Sequence, residues 1–178
     1  MDNYEFHLSG ASSYHKQGYK GQSVTVAVID TGCMKSHIAF KSGQVELKSF
    51  SYGTGSATEG QDDDGHGTWC CSKVVEIAPD VKILSLKVGN TVFIDNLDII
   101  ECLEYCLTRS DVNMISMSIG IETFTNDAQR VRFENAVNGL WTQGKPVICS
   151  AGNSGDDRVI HPACMHNVIT VGSIDKEL

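Results

Sequence analysis

Short, β-branched apolar runs that alternate with segments of helical period constrain this chain more than any other feature in it. Val24-Thr-Val-Ala-Val-Ile29 is apolar on both faces, the pattern of a strand buried inside a parallel sheet. Residues 81–88, 112–118, 146–151 and 168–171 repeat the pattern, and a further short β segment is expected around Val45 to Phe50. Between these runs, residues 94–109 carry Leu97, Ile100, Leu103 and Leu107 at near-helical spacing, and residues 126–143 do the same with Ala128, Val131, Ala136, Val137 and Leu140. Asn126 is placed to cap the second helix, and Gly144-Lys145-Pro146 stops it. Strands and helices taking turns at these lengths predict an α/β fold, one parallel sheet with helices on both faces and right-handed crossovers. No repeat or linker interrupts it, so residues 1–178 read as a single domain.

The formal charge of −8, unrelieved by any Lys/Arg cluster, repels phosphate backbones and anionic lipid surfaces, which excludes nucleic acid and membranes as expected partners. No apolar stretch reaches bilayer length and the first residues are acidic, so a soluble chain without a secretion signal is expected. Seven cysteines, several inside strand or helix patterns, fit a reducing cytoplasm better than a disulfide framework. Neither Cys70-Cys71 nor the i,i+4 pair Cys102 and Cys106 has a matching second pair, and buried free thiols are the expectation. Residues 41–64 read as a surface excursion ending in the solvated acidic run Asp62-Asp63-Asp64, without the ligand spacing of a calcium loop. Neither a metal nor a cofactor is expected.

In an open parallel sheet, ligands bind outside the carboxyl ends of the strands. Asp30 ends the first strand, Ser118-Ile119-Gly120 follows the third, and Ser150-Ala151-Gly152-Asn153 follows the fourth. His66 lies in Asp64-Gly-His66-Gly-Thr68, at the opening of a helix. A surface histidine beside an acidic loop is the ordinary reading; a buried Asp30 holding the ring in one tautomer would make it a general base.

Taken in order, these motifs resemble the subtilisin family of serine peptidases, the subtilases. Val24-Thr-Val-Ala-Val-Ile-Asp30-Thr-Gly32 is similar to the strand ending in the catalytic aspartate, and Asp64-Gly-His66-Gly-Thr68 to the histidine motif. Asp111 to Gly120 resembles a substrate-pocket segment, and Val147-Ile-Cys-Ser-Ala-Gly-Asn153-Ser-Gly155 the oxyanion-asparagine motif. The resemblance implies that Asp30 orients His66, that His66 takes a proton from a serine, and that Asn153 donates to the oxyanion. Ser118, Ile119 and Gly120 would line one wall of the substrate pocket and Ser150, Ala151 and Gly152 the other, for a peptide or protein substrate.

The departure is the nucleophile. The family's serine follows the oxyanion asparagine by several dozen residues, at the head of an apolar helix, and residues 154–178 contain no such motif. Ser154 is too close to Asn153, Ser173 belongs to the turn after the last strand, and Thr54-Gly-Ser-Ala57 precedes the histidine. Cys149 is expected inside a strand and Cys164, near His161 and His166, is exposed by pattern. The expectation is a serine endopeptidase domain whose serine and serine helix lie outside this chain. The alternative is a catalytically dead relative that binds peptides. One sheet face should then be uncovered, to be closed by self-association, by a second polypeptide carrying the serine helix, or by rearrangement of the C-terminal segment around Val168 to Leu178.

Overall fold

The computed structural model describes residues 6, 9–51, 60–90, 92–155 and 158–173. Six parallel strands form one sheet: β1 (Thr25–Asp30), β2 (Val45–Ser49), β3 (Lys82–Lys87), β4 (Met114–Met117), β5 (Val147–Ser150) and β6 (Val168–Val171), in the order β2-β3-β1-β4-β5-β6. Among the described residues the helices are α1 (Ala11–Lys16), α2 (His66–Ile77), α3 (Asn96–Thr108) and α4 (Asp127–Thr142). The β segment expected near Val45 is a full edge strand. The short helix α1 has no counterpart in the sequence reading, because it has little apolar periodicity and no side-chain cap at Gly10.

Both boundaries argued for α4 hold, and α3 has a cap that the sequence reading did not name. Asn126 Oδ1 accepts from Gln129 N at 2.9 Å at the start of α4, and Asp95 does the same for Leu97 N in α3 at 2.8 Å. The far end of α3 is closed by the buried Lys145, whose Nζ donates to the carbonyls of Cys106 and Arg109 at 3.0 and 2.8 Å. Terminal carbonyls that lack helical partners are satisfied in this way by a cation on the favourable end of the dipole.

Register decides which side chains share a face. Val26 and Val28 of β1 point to the α2 side, where Cys33, Cys71, Val75 and Ile83 join them in one cluster. Ala27 and Ile29 point to the other side, into a larger core with Leu84, Leu86, Ile100, Leu103, Ile115, Met117, Phe133 and Leu140, under α3 and α4. The pairs Val28↔Ser116, Ser116↔Ile148 and Ile148↔Ile169 carry the α2 face across to β6. There Ile169 and Val171 are 48% and 52% exposed, and no helix among the described residues covers them.

Candidate functional site

The registers Asp30↔Lys87, Ile29↔Met117, Met117↔Cys149 and Ser150↔Val171 align the carboxyl ends of five strands, so the residues just beyond them emerge along one edge. The chain runs from β1 to β3 on one side and crosses to β4 on the other, which puts the topological switch between Asp30 and Ser118.

His66 reaches this edge because two backbones touch. A β-carbon on Gly67 would overlap the carbonyl oxygen of Gly32, and one on Gly32, whose φ is +108°, would lie 2.6 Å from the carbonyl oxygen of Gly60. Only glycine at both places lets the first turn of α2 sit against the end of β1. His66 Nδ1 thereby meets Asp30 Oδ1 at 2.7 Å, and Thr31 N donates to the same oxygen at 2.7 Å. Asp30 is 1% exposed, whereas the His66 side chain is 39% exposed. A buried acceptor on Nδ1 leaves Nε2 as the nitrogen open to a reacting group.

The acidic run departs from its solvated reading. Asp62 is buried, and its Oδ1 accepts from Thr31 Oγ1, Gly65 N and Asp64 N at 2.9, 2.9 and 3.1 Å. Its Oδ2 accepts from Thr68 N at 2.7 Å and from Thr68 Oγ1 at 2.5 Å. Burial raises this carboxyl, but the bonds from Thr68, Gly65 and Asp64 outweigh it and hold Asp62 below the ordinary carboxylate range. Thr31 Oγ1 accepts in turn from Gly67 N at 2.8 Å, so Asp62 ties the residue after Asp30 to the helix that carries His66. Asp63 pairs at 2.6 Å with the buried Lys87, whose Nζ also donates to the Gln61 carbonyl at 2.9 Å. An unpaired buried ammonium is costly, so Lys87 pins the loop to the sheet. The available signal was the placement of Asp62 four residues before His66 and six before Thr68; Thr31, the other threonine it meets, is 31 residues away and could not be paired by pattern.

Across the switch, Ser118 and residues 148–153 line an open groove of about 380 Å³, with residues 171–173 as its far side. Ser150, Ala151, Gly152 and Asn153 all lie on it, and Ser118 forms part of the opposite wall. Ile119 does not line the groove, because its apolar side chain turns into the core, and Gly120 packs against Ile160. The groove and the imidazole are bridged by Cys70, whose thiol donates to Ser118 Oγ at 3.7 Å and lies 3.9 Å from His66 Nδ1. Burial, and then the charge of Asp30, push the Cys70 thiol up to about 12, so it is no nucleophile. Cys149 is buried in β5; Cys164 is exposed, and no imidazole among the described residues hydrogen-bonds it. Residues 54–57 lie outside the described residues. A larger groove of about 670 Å³ between the outer sides of α3 and α4 holds neither imidazole nor thiol.

Known proteins agree with this architecture. The Subtilase family profile matches residues 21–177. The chain is 32% identical over 180 residues to the serine protease AprX of Bacillus subtilis, covering 89% of this chain and 40% of that protein. It is 30% identical over 175 residues to the major intracellular serine protease of the same organism, covering 89% of this chain and 53% of that one. The crystal structure of a lanthipeptide protease superposes with a TM-score of 0.76 at 26% identity, over 91% of this chain and 52% of its own. The chain thus spans between 40% and 53% of the length of these three proteins.

Proposed function

The chain belongs to the subtilase family, and from that premise we propose that it is the Asp/His part of a serine endopeptidase whose nucleophile is supplied from outside residues 1–178. The observation that carries this reading is the 2.7 Å contact between His66 Nδ1 and the buried Asp30, beside a groove at the sheet's switch point.

In the proposed reaction a serine hydroxyl attacks the scissile carbonyl while His66 Nε2 takes its proton and later returns it to the leaving amine. Asp30 stays ionised, holds the ring with its proton on Nδ1 and stabilises the imidazolium that forms. Asn153 supplies its side-chain amide to the oxyanion. Ser118 and residues 150–152 hold the substrate chain, a peptide or protein. We assign the catalytic role to Asp30, His66 and Asn153 alone.

The α2-side face of β5 and β6, which no helix among the described residues covers, supports a serine-bearing helix as the missing layer, because it adjoins the groove and carries Ile148, Ile169 and Val171. The layer would come from a continuing reading frame or from a second polypeptide. A peptide-binding protein without catalysis has no need of a buried carboxylate aligned on an imidazole. A cytoplasmic setting accords with the name of the intracellular relative and with six buried free thiols.

Fluorophosphonate labelling tests the proposal. The 178-residue chain alone should not react, and the chain joined to or mixed with a downstream segment containing a Gly-Thr-Ser motif should label on that serine, only while His66 is intact. Labelling of a serine within residues 1–178, or none after complementation, would overturn it.

A further inference from the structure

Cys70 follows His66 by one helical turn, so both side chains leave the same face of α2 and hang over the end of β1. His66 Nδ1, Cys70 Sγ and a carboxylate oxygen of Asp30 all lie within 4.8 Å of one another. A second observation adds to that clustering: Asp30 Oδ2 is buried and accepts no well-formed hydrogen bond among the described residues, the Cys70 thiol facing the same carboxylate. Buried carboxylate oxygens nearly always accept at least one hydrogen bond, so this one has unused coordinating capacity inside a protein interior.

We propose that Asp30, His66 and Cys70 form a binding site for a borderline-soft divalent cation of the zinc class, with a water molecule in the fourth position. No metal is expected at Cys70 from sequence, because there it stands beside Cys71, whereas its neighbours in space are 4 and 40 residues away. One imidazole nitrogen, one sulfur and one carboxylate oxygen suit zinc, whereas the sulfur and nitrogen disfavour calcium and magnesium. Tetrahedral zinc with bonds of about 2.0–2.3 Å keeps its donor atoms roughly 3.3–3.6 Å apart. The Nδ1–Oδ1 and Nδ1–Sγ separations are 2.7 and 3.9 Å and all three donors lie within 4.8 Å, so side-chain rotation has to bring the sulfur and the free carboxylate oxygen in toward the cation. Entry is past His66, whose side chain is partly exposed, and past the exposed Ser118.

The protons balance simply. The Cys70 thiol loses its proton to solvent, and His66 moves its single ring proton from Nδ1 to Nε2, freeing Nδ1 to bind. Asp30 enters ionised, so each cation releases one proton. Burial and the nearby carboxylate keep the thiol protonated while the site is empty; a dication between them reverses both effects.

One consequence rests on the proposed peptidase reading. A cation on Nδ1 takes the nitrogen that Asp30 otherwise holds and fixes the proton on Nε2, where it blocks acceptance of the serine proton. The site is therefore inhibitory. Binding needs no serine and is measured on the chain as it stands.

Cobalt(II) is the probe, because a thiolate ligand gives it a near-ultraviolet charge-transfer band. We expect that band to saturate at one equivalent, to vanish on adding zinc, and to be absent in Cys70→Ser and in Cys70→Ala. Asp30→Asn should weaken binding by at least about tenfold, and Cys164→Ser, at the exposed thiol, should leave it unchanged. Circular dichroism melts establish that the variants are folded; if one Cys70 variant is not, the other decides. No band in the parent chain, or a band that survives loss of Cys70, overturns the site. Cobalt binding without any fluorophosphonate labelling after complementation would leave the metal site standing and remove the peptidase reading; labelling without cobalt binding would do the reverse.

Discussion

The sheet has a finished half and an open half. β3 and β1 are enclosed on both faces, by α2 on one side and by the α3–α4 layer on the other, and every residue of β1 is buried. β5 and β6 share the second layer but have no helix on the α2 side among the described residues; β4 lies between, with Met114 still packed against the α2 cluster, and three of the four residues of β6 are exposed. The proposed proton relay stands on the finished half; the proposed oxyanion donor and most of the groove stand on the open one. A group that must be aimed within a few tenths of an ångström is built where packing is complete. The surface proposed to receive a substrate and a further polypeptide segment is left accessible. Substitutions on the two halves should therefore fail in different ways.

The largest contrast comes from His66→Ala in the complemented protein. We expect turnover to fall by about 10⁶, the magnitude measured in subtilisin itself for loss of the corresponding group, with the melting transition unchanged. A fall of less than about tenfold would remove His66 from the relay. Asn153→Ala, on the open half, should lower kcat by about 10²–10³ with KM nearly constant, again subtilisin's own value for its oxyanion donor. A rise in KM at constant kcat would instead make Asn153 a ground-state binding residue.

Asp62→Asn, on the finished half, should reduce stability by about 1.5–3 kcal/mol in denaturant melts, since the lost charge supports several hydrogen bonds at once. Its folded carboxyl sits below its unfolded value, so its contribution is fully present above about pH 4 and is lost as pH falls through the lowered folded value. The variant should accordingly show a shallower acid limb than the parent; identical limbs would contradict the hub role. Smallest of all, Ile169→Ser together with Val171→Ser should alter the stability of the isolated chain by less than about 1 kcal/mol, because both side chains already meet water. The same pair should abolish self-association or complementation, read by sedimentation. If association persists, the open face is not the contact.

What the sequence made legible follows the same division. β1, α3 and α4 were readable because each is specified locally, by an unbroken apolar run or by a cap with its helical stripe. The Asp30–His66 pairing was legible only through the ordered set of motifs, since the residues are 36 apart and nothing local ties them. Asp62 was misread as solvated because acidic runs usually are, and the two threonines that bury it come from different elements. Ile119, expected on the pocket wall from its motif position, carries an apolar side chain that packs in the core. Cys70 needed both the helical spacing from His66 and the knowledge that Asp30 lies beneath.

The contact of Gly67 with Gly32 has a genetic consequence. It is made by main chain against main chain, so no neighbouring side chain can shrink to accommodate a replacement at either position. In a random library selected for restored activity, a chain carrying Gly67→Ala should yield true revertants at codon 67 and almost no second-site suppressors, whereas a lesion such as Leu84→Ala in the large core should be rescued from several surrounding positions.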